Sequence, residues 1–288
     1  LTNAQKRVIK ECYENMCSKK QMNRLIQGDV GSGKTIVAFL CMLFPVESGA
    51  QVAFMAPTEV LAEQHFKSVL GLAKKLNLSV ELLTGSTKPK ERDILLNNLL
   101  IGKTNILIGT HALIEERVRF KKLGLVVIDE QHKFGVAQRA KLWSKKEEYY
   151  PHVLVMTATP IPRTLALTLY GDLDVSVIDE LPKGRKEIIT SHRNDNSRLK
   201  VLNFIKQTVE SGSQVYIVYP LIEESAKKDH KDLMDGYESL TRYFPDTQIG
   251  VLHGRMKAEN KDYEMKRFVE AKTKILVSTT VVEVGVDV

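Results

Sequence analysis

The chain has 288 residues, of which 43% are hydrophobic and 27% charged, a globular composition that excludes a wholly disordered polypeptide. Its apolar runs fall well short of the roughly 20 residues of a membrane span, and its length predicts two domains. The formal net charge of +7 permits a polyanionic partner such as nucleic acid without establishing one.

The first half of the chain alternates short apolar strands with longer periodic segments. Six segments rich in Val, Ile or Leu are predicted strands: Arg24–Gln27, Gln51–Met55, Ser79–Thr84, Asn105–Gly109, Gly124–Ile128 and His152–Met156. The predicted helices between them are Lys34–Phe44, Val60–Leu76 and Lys88–Leu100. Strands that are apolar throughout favour a parallel sheet covered on both faces, so this order predicts a doubly wound α/β domain.

The pattern pauses at the sequence DELPKGRK, residues Asp179–Lys186, where Pro, Gly and charge cluster as in a linker. It then resumes with predicted strands at Gln214–Tyr219, Gln248–Leu252 and Lys274–Ser278 and helices near Ser197–Ser211, Asp229–Tyr243 and Lys257–Glu270. We therefore expect one α/β domain over residues 1–183 and a second over residues 184–288. The second is shorter, and we expect it to be incomplete.

The three cysteines, Cys12, Cys17 and Cys41, form no CxxC pair. An odd number without such spacing argues against a disulfide framework or a zinc site. Free thiols in a reducing compartment are expected instead.

The strongest local signal is the run GDVGSGKT at residues 28–35, which fits G-x-x-x-x-G-K-[ST] between a predicted strand and a predicted helix. Gly31, Ser32 and Gly33 allow a tight turn whose N–H groups face phosphate oxygens at the start of a helix. Lys34 can then reach the β- and γ-phosphates, and the hydroxyl of Thr35 can bind Mg²⁺. The sequence predicts a site for a nucleoside triphosphate and Mg²⁺.

The second signal is the run LVVIDEQH at residues 125–132, where an apolar strand ends in two carboxylates. After a phosphate loop, the first acid at such a strand end holds Mg²⁺, and a neighbouring Glu can accept a proton from water. Asp129 is therefore the predicted metal-side residue and Glu130 the predicted general base. We assign His132, beside them, to coupling.

The third signal is the run MTATP at residues 156–160. Thr157 and Thr159 either cap the helix expected near Ile161 or relay changes at the nucleotide site to another surface. Spacing alone leaves these two interpretations equal.

The order of the motifs GDVGSGKT, APTEVLAEQH, IGTHALI, DEQHKFGV, MTATPIPRTLALT, VYPLIEES, VLHGRMK and STTVVEVGVDV resembles that of the superfamily-two helicases. The resemblance covers nearly the whole chain and is greatest to bacterial ATP-dependent DNA helicases that remodel forks and branched junctions. It implies two RecA-like P-loop NTPase domains, ATP and Mg²⁺ as cofactors, and branched DNA as partner. It also implies a monomer in the bacterial cytoplasm, associated with the nucleoid and not with a membrane.

The resemblance also assigns roles to individual residues. It makes Gln5 the reader of adenine, assigns Thr157 and Thr159 to coupling, and makes Gly285 and Asp287 sensors of nucleotide. The residues expected to meet the DNA backbone are Pro57, Thr58, Thr110, His111, Gly254, Arg255 and Thr279. Hydroxyls, a guanidinium and loop N–H groups suit phosphate contacts that do not read bases.

Three parts of the family's pattern have no counterpart in this sequence: the fork-reading amino-terminal domain, the motif that carries the arginine finger, and the hairpin motif that couples hydrolysis to translocation. By itself the chain is therefore expected to bind nucleotide weakly and to unwind nothing. Two other classes of function fit some of the motifs. A P-loop ATPase or kinase for a small substrate accounts for the phosphate loop and the carboxylates. A nucleotide-dependent binding switch needs no unwinding. ATP turnover stimulated by DNA would distinguish the helicase from both.

Overall fold

The computed structural model describes residues 1–18, 20–130, 150–159, 173–180, 188–219, 226–254 and 256–279. The chain divides into two compact units, Leu1–Lys186 and Glu187–Val288. The sequence predicted the boundary after residue 183, within the same linker.

Unit 1 is built on a seven-stranded sheet. Its strands are β1 (Asn23–Gly28), β2 (Gln51–Met55), β3 (Val80–Leu83), β4 (Ile106–Gly109), β5 (Leu123–Asp129), β6 (His152–Thr157) and β7 (Asp174–Ile178). They lie in the order β3-β4-β2-β5-β6-β1-β7, and every pair is parallel. The predicted α/β class with a parallel sheet is confirmed.

Four helices of unit 1 pack against this sheet: α1 (Asn3–Met16), α2 (Lys34–Glu47), α3 (Glu59–Ala73) and α4 (Pro89–Ile101). Residues that alternate along each strand enter two separate cores. Val127 of β5 joins the core beneath α1, α2 and α3, whereas Val126 joins the core that contains α4. Because both faces are covered, the central strands β2, β4 and β5 are largely apolar, as the sequence pattern indicated.

Helix α1 was not among the predicted elements, and two further details differ from the sequence-based expectations. The strand Asp174–Ile178 was not predicted, because it pairs with β1 alone among the described strands, and only Ser176 and Ile178 of its five residues are buried. Helix α2 was expected to end at Phe44, before Pro45, but it continues to Glu47 with that proline inside it. Pro45 lies in the last turn of the helix, where its missing N–H costs a single helical hydrogen bond.

Unit 2 contains the strands β8 (Val215–Tyr219), β9 (Ile249–Leu252) and β10 (Ile275–Thr279) in the order β8-β10-β9, again parallel. Its helices are α5 (Arg198–Glu210), α6 (Ala226–Tyr243) and α7 (Ala258–Val269). Val277 packs in a core with residues of α5 and α6, and the adjacent Leu276 packs with Phe268 of α7. Helices therefore cover both faces of this sheet too.

All three cysteines are free thiols, as the sequence indicated, with Cys12 and Cys41 buried and Cys17 exposed. Within the described ranges, no helix is both long enough and apolar enough to cross a membrane.

Candidate nucleotide-binding site

The phosphate loop connects β1 to α2, as predicted. Gly33 caps the helix in the left-handed conformation with φ of +88°, which favours glycine because a side chain there crowds the backbone. The ammonium of Lys34 turns back over the loop and donates hydrogen bonds to the carbonyls of Gly28 (2.7 Å) and Asp29 (3.0 Å). The loop therefore holds one cation above its own backbone.

Ser32 has a fully buried side chain within this loop. Its Oγ has no hydrogen-bond partner among the described residues. A buried hydroxyl without a partner costs free energy, and such atoms in native structures often mark a place where a ligand or ion binds. The neighbouring Thr35 is half-buried at the first turn of α2.

Gln5 ties helix α1 to the phosphate loop. Its Oε1 accepts a hydrogen bond from the N–H of Thr2 (2.9 Å), closing a capping box at the start of α1. Its Nε2 donates to the carbonyl of Ser32 (2.8 Å), and the residue is only 4% exposed. Both ends of this amide contact protein, and each keeps capacity for one further hydrogen bond.

The two predicted carboxylates lie at the end of β5. Asp129 is buried, and its Oδ2 lies 2.8 Å from Nε2 of His65, which is also buried. Glu130 follows with φ of +49°, an uncommon conformation for a residue with a side chain. Its N–H donates to the carbonyl of Met156 in β6 (2.9 Å), so the sheet's hydrogen bonding continues into this turn.

The residues after β6 hold the Glu130 carboxylate at both oxygens. Thr157 Oγ1 donates to Oε2 (3.2 Å), and the N–H of Ala158 donates to Oε1 (3.1 Å). Thr159 contacts Oγ1 of Thr157 through its N–H (3.1 Å) and through its hydroxyl (2.8 Å). The helix expected near Ile161 lies outside the described residues. Thr157 thus contacts Glu130 directly, and Thr159 contacts it through Thr157. A relay requires such a chain of contacts.

The sheet topology brings these groups to one edge. Strand β6 lies between β5 and β1, and all three are parallel. Their carboxyl ends therefore lead into the two carboxylates, the threonine run and the phosphate loop side by side. Ligands of open α/β sheets bind at the carboxyl ends of the strands, so the predicted site residues lie where the fold favours a ligand.

The four predicted DNA-backbone residues of unit 1 lie in two loops that follow neighbouring strands at the same edge. Ala56 donates its N–H to the carbonyl of Gly109 (2.9 Å), so the loops after β2 and β4 are adjacent. Pro57 and Thr58 are half-buried, and Thr58 caps α3 by accepting a hydrogen bond from the N–H of Leu61 (3.3 Å). In the other loop His111 is exposed but Thr110 is 1% exposed. The Thr110 hydroxyl is thus not on the surface.

In unit 2, Gly254 follows β9 and is exposed, and its carbonyl accepts a hydrogen bond from Lys261 Nζ (3.0 Å). Thr279 ends the neighbouring strand β10 with a buried hydroxyl. The two residues therefore lie at one edge of the small sheet. The predicted residues His132, Arg255, Gly285 and Asp287 lie outside the described part of the chain. Their roles stay predictions.

Two side chains at the carboxyl edge of the unit 1 sheet, those of Thr35 and Asp129, fit a Mg²⁺ ion that binds together with a nucleotide. No group of three or more His, Cys, Asp or Glu that could hold a metal occurs in the described ranges. Mg²⁺ usually takes one or two protein oxygens and completes its shell with water and phosphate oxygens. The Asp129 carboxylate and the Thr35 hydroxyl are oxygen donors of this type.

Two residues that contact the site or the helix attached to it were not predicted from the sequence. His65 was seen only as part of the run TEVLAEQH, and nothing in a helical pattern reveals that its ring reaches β5. Glu180 was read as part of the linker, but its Oε2 accepts hydrogen bonds from the N–H groups of Asn3 (3.0 Å) and Ala4 (3.3 Å). Its negative charge at the start of α1 is favourable for the helix dipole.

A Gly-rich loop between a strand and a helix, beside a strand that ends in two carboxylates, defines the fold of unit 1 as that of a P-loop nucleotide-binding domain. The DEAD/DEAH box helicase family model matches residues 2–168, more than half of the chain, and the helicase conserved C-terminal domain model matches residues 195–288. The chain belongs to the DEAD/DEAH box helicase family, as the resemblance of its motifs predicted.

Relatives align with the whole chain. It is 54% identical to the ATP-dependent DNA helicase RecG of Synechocystis sp. and 51% identical to that of Aquifex aeolicus, over 34% and 36% of their lengths. A solved structure of RecG bound to a three-way DNA junction superimposes with a TM-score of 0.83 at 47% identity, covering all of this chain and 37% of that one. The chain thus spans about a third of the length of these relatives and is similar to their helicase core, with RecA-like domains.

Proposed function

We propose that this chain is the ATP-driven motor of a DNA helicase that unwinds and remodels branched DNA, as a monomer at the bacterial nucleoid. One observation carries the proposal: the chain aligns along its whole length with RecG helicases while its phosphate loop and carboxylates share one sheet edge. The RecG structure with a three-way junction supports branched DNA as the partner.

In this proposal the phosphate loop binds the triphosphate of ATP. Lys34 would exchange the carbonyls of Gly28 and Asp29, now at 2.7 and 3.0 Å, for β- and γ-phosphate oxygens. The N–H groups at the start of α2 would donate to the same phosphates, and the helix dipole favours their negative charge. Gly31 and Gly33 let the backbone approach the phosphates closely.

Thr35 and Asp129 would hold Mg²⁺ beside the phosphates. Bound there, the ion would neutralise charge that develops on the phosphate oxygens. Asp129 suits this position because its carboxylate is buried and already fixed by one hydrogen bond from His65.

Glu130 would act as the general base that takes a proton from the attacking water. Hydrogen bonds to both of its oxygens, from Thr157 and from the N–H of Ala158, orient the carboxylate before the reaction. Such orientation matters because general-base catalysis requires the base within hydrogen-bond reach of the proton. Thr157 and Thr159 would then relay the change at Glu130 to the rest of the motor.

DNA would bind through its phosphate backbone. In unit 1 the exposed imidazole of His111 and the helix start at Thr58 suit such contacts, and the exposed loop at Gly254 suits them in unit 2. Contacts with phosphates do not read the bases, so affinity should depend little on DNA sequence. Because these contacts are electrostatic, affinity should fall steeply as the salt concentration rises.

The test is ATP turnover by the natural protein that carries these residues. Turnover is measured without DNA, with linear duplex and with a three-way junction, in the unsubstituted protein and in Lys34→Ala. We expect the junction to stimulate turnover most, and Lys34→Ala to abolish it under every condition while the melting temperature stays unchanged. Strand separation of the junction should require ATP and Mg²⁺.

Other outcomes would contradict the proposal in distinguishable ways. ATP turnover that DNA does not stimulate would favour an ATPase or kinase for a small substrate. Nucleotide-dependent binding without turnover would favour a binding switch. Normal turnover in Lys34→Ala would show that the phosphate loop is not part of the active site.

A further inference from the structure

A histidine outside the predicted site contacts the carboxylate assigned to Mg²⁺. His65 lies in α3, two turns after its start, and its Nε2 is 2.8 Å from Oδ2 of Asp129. Only 10% and 12% of the two side chains are exposed. At this separation and burial the imidazole N–H donates to the carboxylate as a charge-assisted hydrogen bond.

The imidazole ring is itself held in place. It lies against the ring of Phe54, with centroids 4.6 Å apart and planes tilted by 34°. Phe54 belongs to β2 and pairs in register with Val127 of β5, two residues before Asp129. The sheet that carries the carboxylate therefore also carries the surface on which its hydrogen-bond donor rests.

A buried carboxylate needs such support to hold a metal in one geometry. With Oδ2 engaged by His65, rotation of the Asp129 side chain would cost a charge-assisted hydrogen bond. Partners that hydrogen-bond metal ligands typically change metal affinity by about 10- to 100-fold when they are removed. The contact thus favours one orientation of the carboxylate that would hold the ion.

We propose that His65 is a positioning residue that fixes Asp129 for Mg²⁺-dependent binding of the nucleotide. The assignment rests on the proposed function, because it needs Asp129 to bind Mg²⁺ with ATP. His65 touches neither the nucleotide nor the metal in this proposal, and acts only through the carboxylate. If His65 had only a structural role, its hydrogen bond and its ring contact would serve to hold α3 on the sheet.

Two amide substitutions at His65 separate these roles. Glutamine carries an N–H donor about as far from the backbone as the imidazole Nε2, whereas asparagine is one methylene shorter and does not reach Asp129. Both replace the ring by a small polar side chain, so both lose the contact with Phe54. Any difference between them reports the hydrogen bond to Asp129.

The probe is a fluorescent, non-hydrolysable ATP analogue, whose binding to the chain is titrated with Mg²⁺. We expect His65→Asn to raise the Mg²⁺ concentration for half-maximal binding by about tenfold or more, and His65→Gln to stay within about threefold of the unsubstituted chain. In Mg²⁺-free buffer all three chains should bind the analogue equally. In an Asp129→Asn background the two His65 variants should bind alike, because the group they position is gone.

Melting temperatures of the variants complete the test. If His65→Asn and His65→Gln melt alike but differ in their Mg²⁺ dependence, the positioning role is supported. Equal Mg²⁺ dependence in all three chains would overturn it and leave the proposed function intact. If the unsubstituted chain showed no Mg²⁺-dependent binding, the proposed function would fail and this assignment with it.

Discussion

The side-chain amide of Gln5 donates a hydrogen bond to the carbonyl of Ser32 over 2.8 Å and so joins the first helix to the phosphate loop. This contact occurs where Gly33 turns the chain into α2. A Cβ at Gly33 would lie far inside van der Waals distance of Gln5 Nε2. The conformation of the loop and the position of Gln5 therefore depend on each other.

Replacing Gly33 by alanine should expose this dependence. We expect Gly33→Ala to lower the free energy of unfolding by about 1 to 2 kcal/mol, because alanine is strained in the left-handed conformation. Loss of the Gln5–Ser32 hydrogen bond should lower it by about 1 kcal/mol more. Gly49→Ala is the matched control, because Gly49 has φ of +75° but no atom within 4 Å of the added Cβ. Urea unfolding without nucleotide measures both losses.

The same measurement tests the cause. If the added methyl acts by displacing the amide, Gln5→Ala should cost less stability in the Gly33→Ala background than in the unsubstituted chain. Strictly additive losses would contradict the steric coupling of these residues.

Glu130→Gln should separate nucleotide binding from hydrolysis. The amide keeps the shape of the side chain and still accepts one of the two hydrogen bonds, but it does not accept a proton from water. We expect binding of ATP to persist and turnover to fall by about 10²- to 10⁴-fold. Asp129→Asn, in contrast, should also weaken Mg²⁺-dependent binding. Glu130→Gln with normal turnover would assign the base to another residue.

Thr157→Val should lower turnover without abolishing binding. Valine keeps the volume but removes the hydroxyl that donates to Glu130 Oε2 (3.2 Å). A hydrogen bond to a charged group is worth about 1.5–3 kcal/mol, so we expect turnover to fall by about tenfold or more. Thr159→Val is the matched control: it leaves the Thr157–Glu130 contact in place and should have the smaller effect. A larger effect at residue 159 would count against orientation of Glu130 by Thr157.

The stability of unit 1 should depend on pH through His152. Burial lowers the pKa of this side chain below its ordinary value of 6.5, and its Nδ1 accepts a hydrogen bond from the N–H of Met22 (2.9 Å). The unfolded chain therefore binds the proton more readily. This contribution to stability is complete above about pH 6.5 and is lost as the pH falls towards the lower folded pKa.

Urea unfolding between pH 8 and pH 5 checks this. His152→Asn keeps an acceptor near the Nδ1 position but does not titrate, so its free energy of unfolding should fall less with acid than that of the unsubstituted chain. His111→Asn, at an exposed histidine, should retain the full dependence. Equal slopes for His152→Asn and the unsubstituted chain would show that the burial of His152 has no such effect.

The central part of unit 1 could be predicted from sequence because its strands are buried on both faces. Their continuous apolar character and the glycines and acids at their ends are local signals, so the phosphate loop and the Asp129–Glu130 pair could be located in advance. The edge strand β7 could not, because it pairs with β1 alone among the described strands and only two of its five residues are buried. Only pairing with β1 makes the segment Asp174–Ile178 a strand.

The remaining features of the site depend on contacts between distant segments. Residues 65 and 129 meet only because α3 packs on the face of the sheet that carries Phe54 and Val127, which a helical pattern does not reveal. The left-handed backbone at Glu130 is equally hidden, since glutamate has no preference for it. Glu130 in this conformation donates its N–H to Met156 of β6 and accepts hydrogen bonds from Thr157 and Ala158, contacts that the local sequence does not reveal.

The capping of α1 by Glu180 has a mechanical consequence. Residue 180 comes just after the last strand of unit 1, where the chain departs towards unit 2, and its carboxylate holds the N–H groups of Asn3 and Ala4. The next residue of that helical turn is Gln5, which grips the carbonyl of Ser32. A shift of Glu180 would therefore be transmitted to the phosphate loop through one turn of helix.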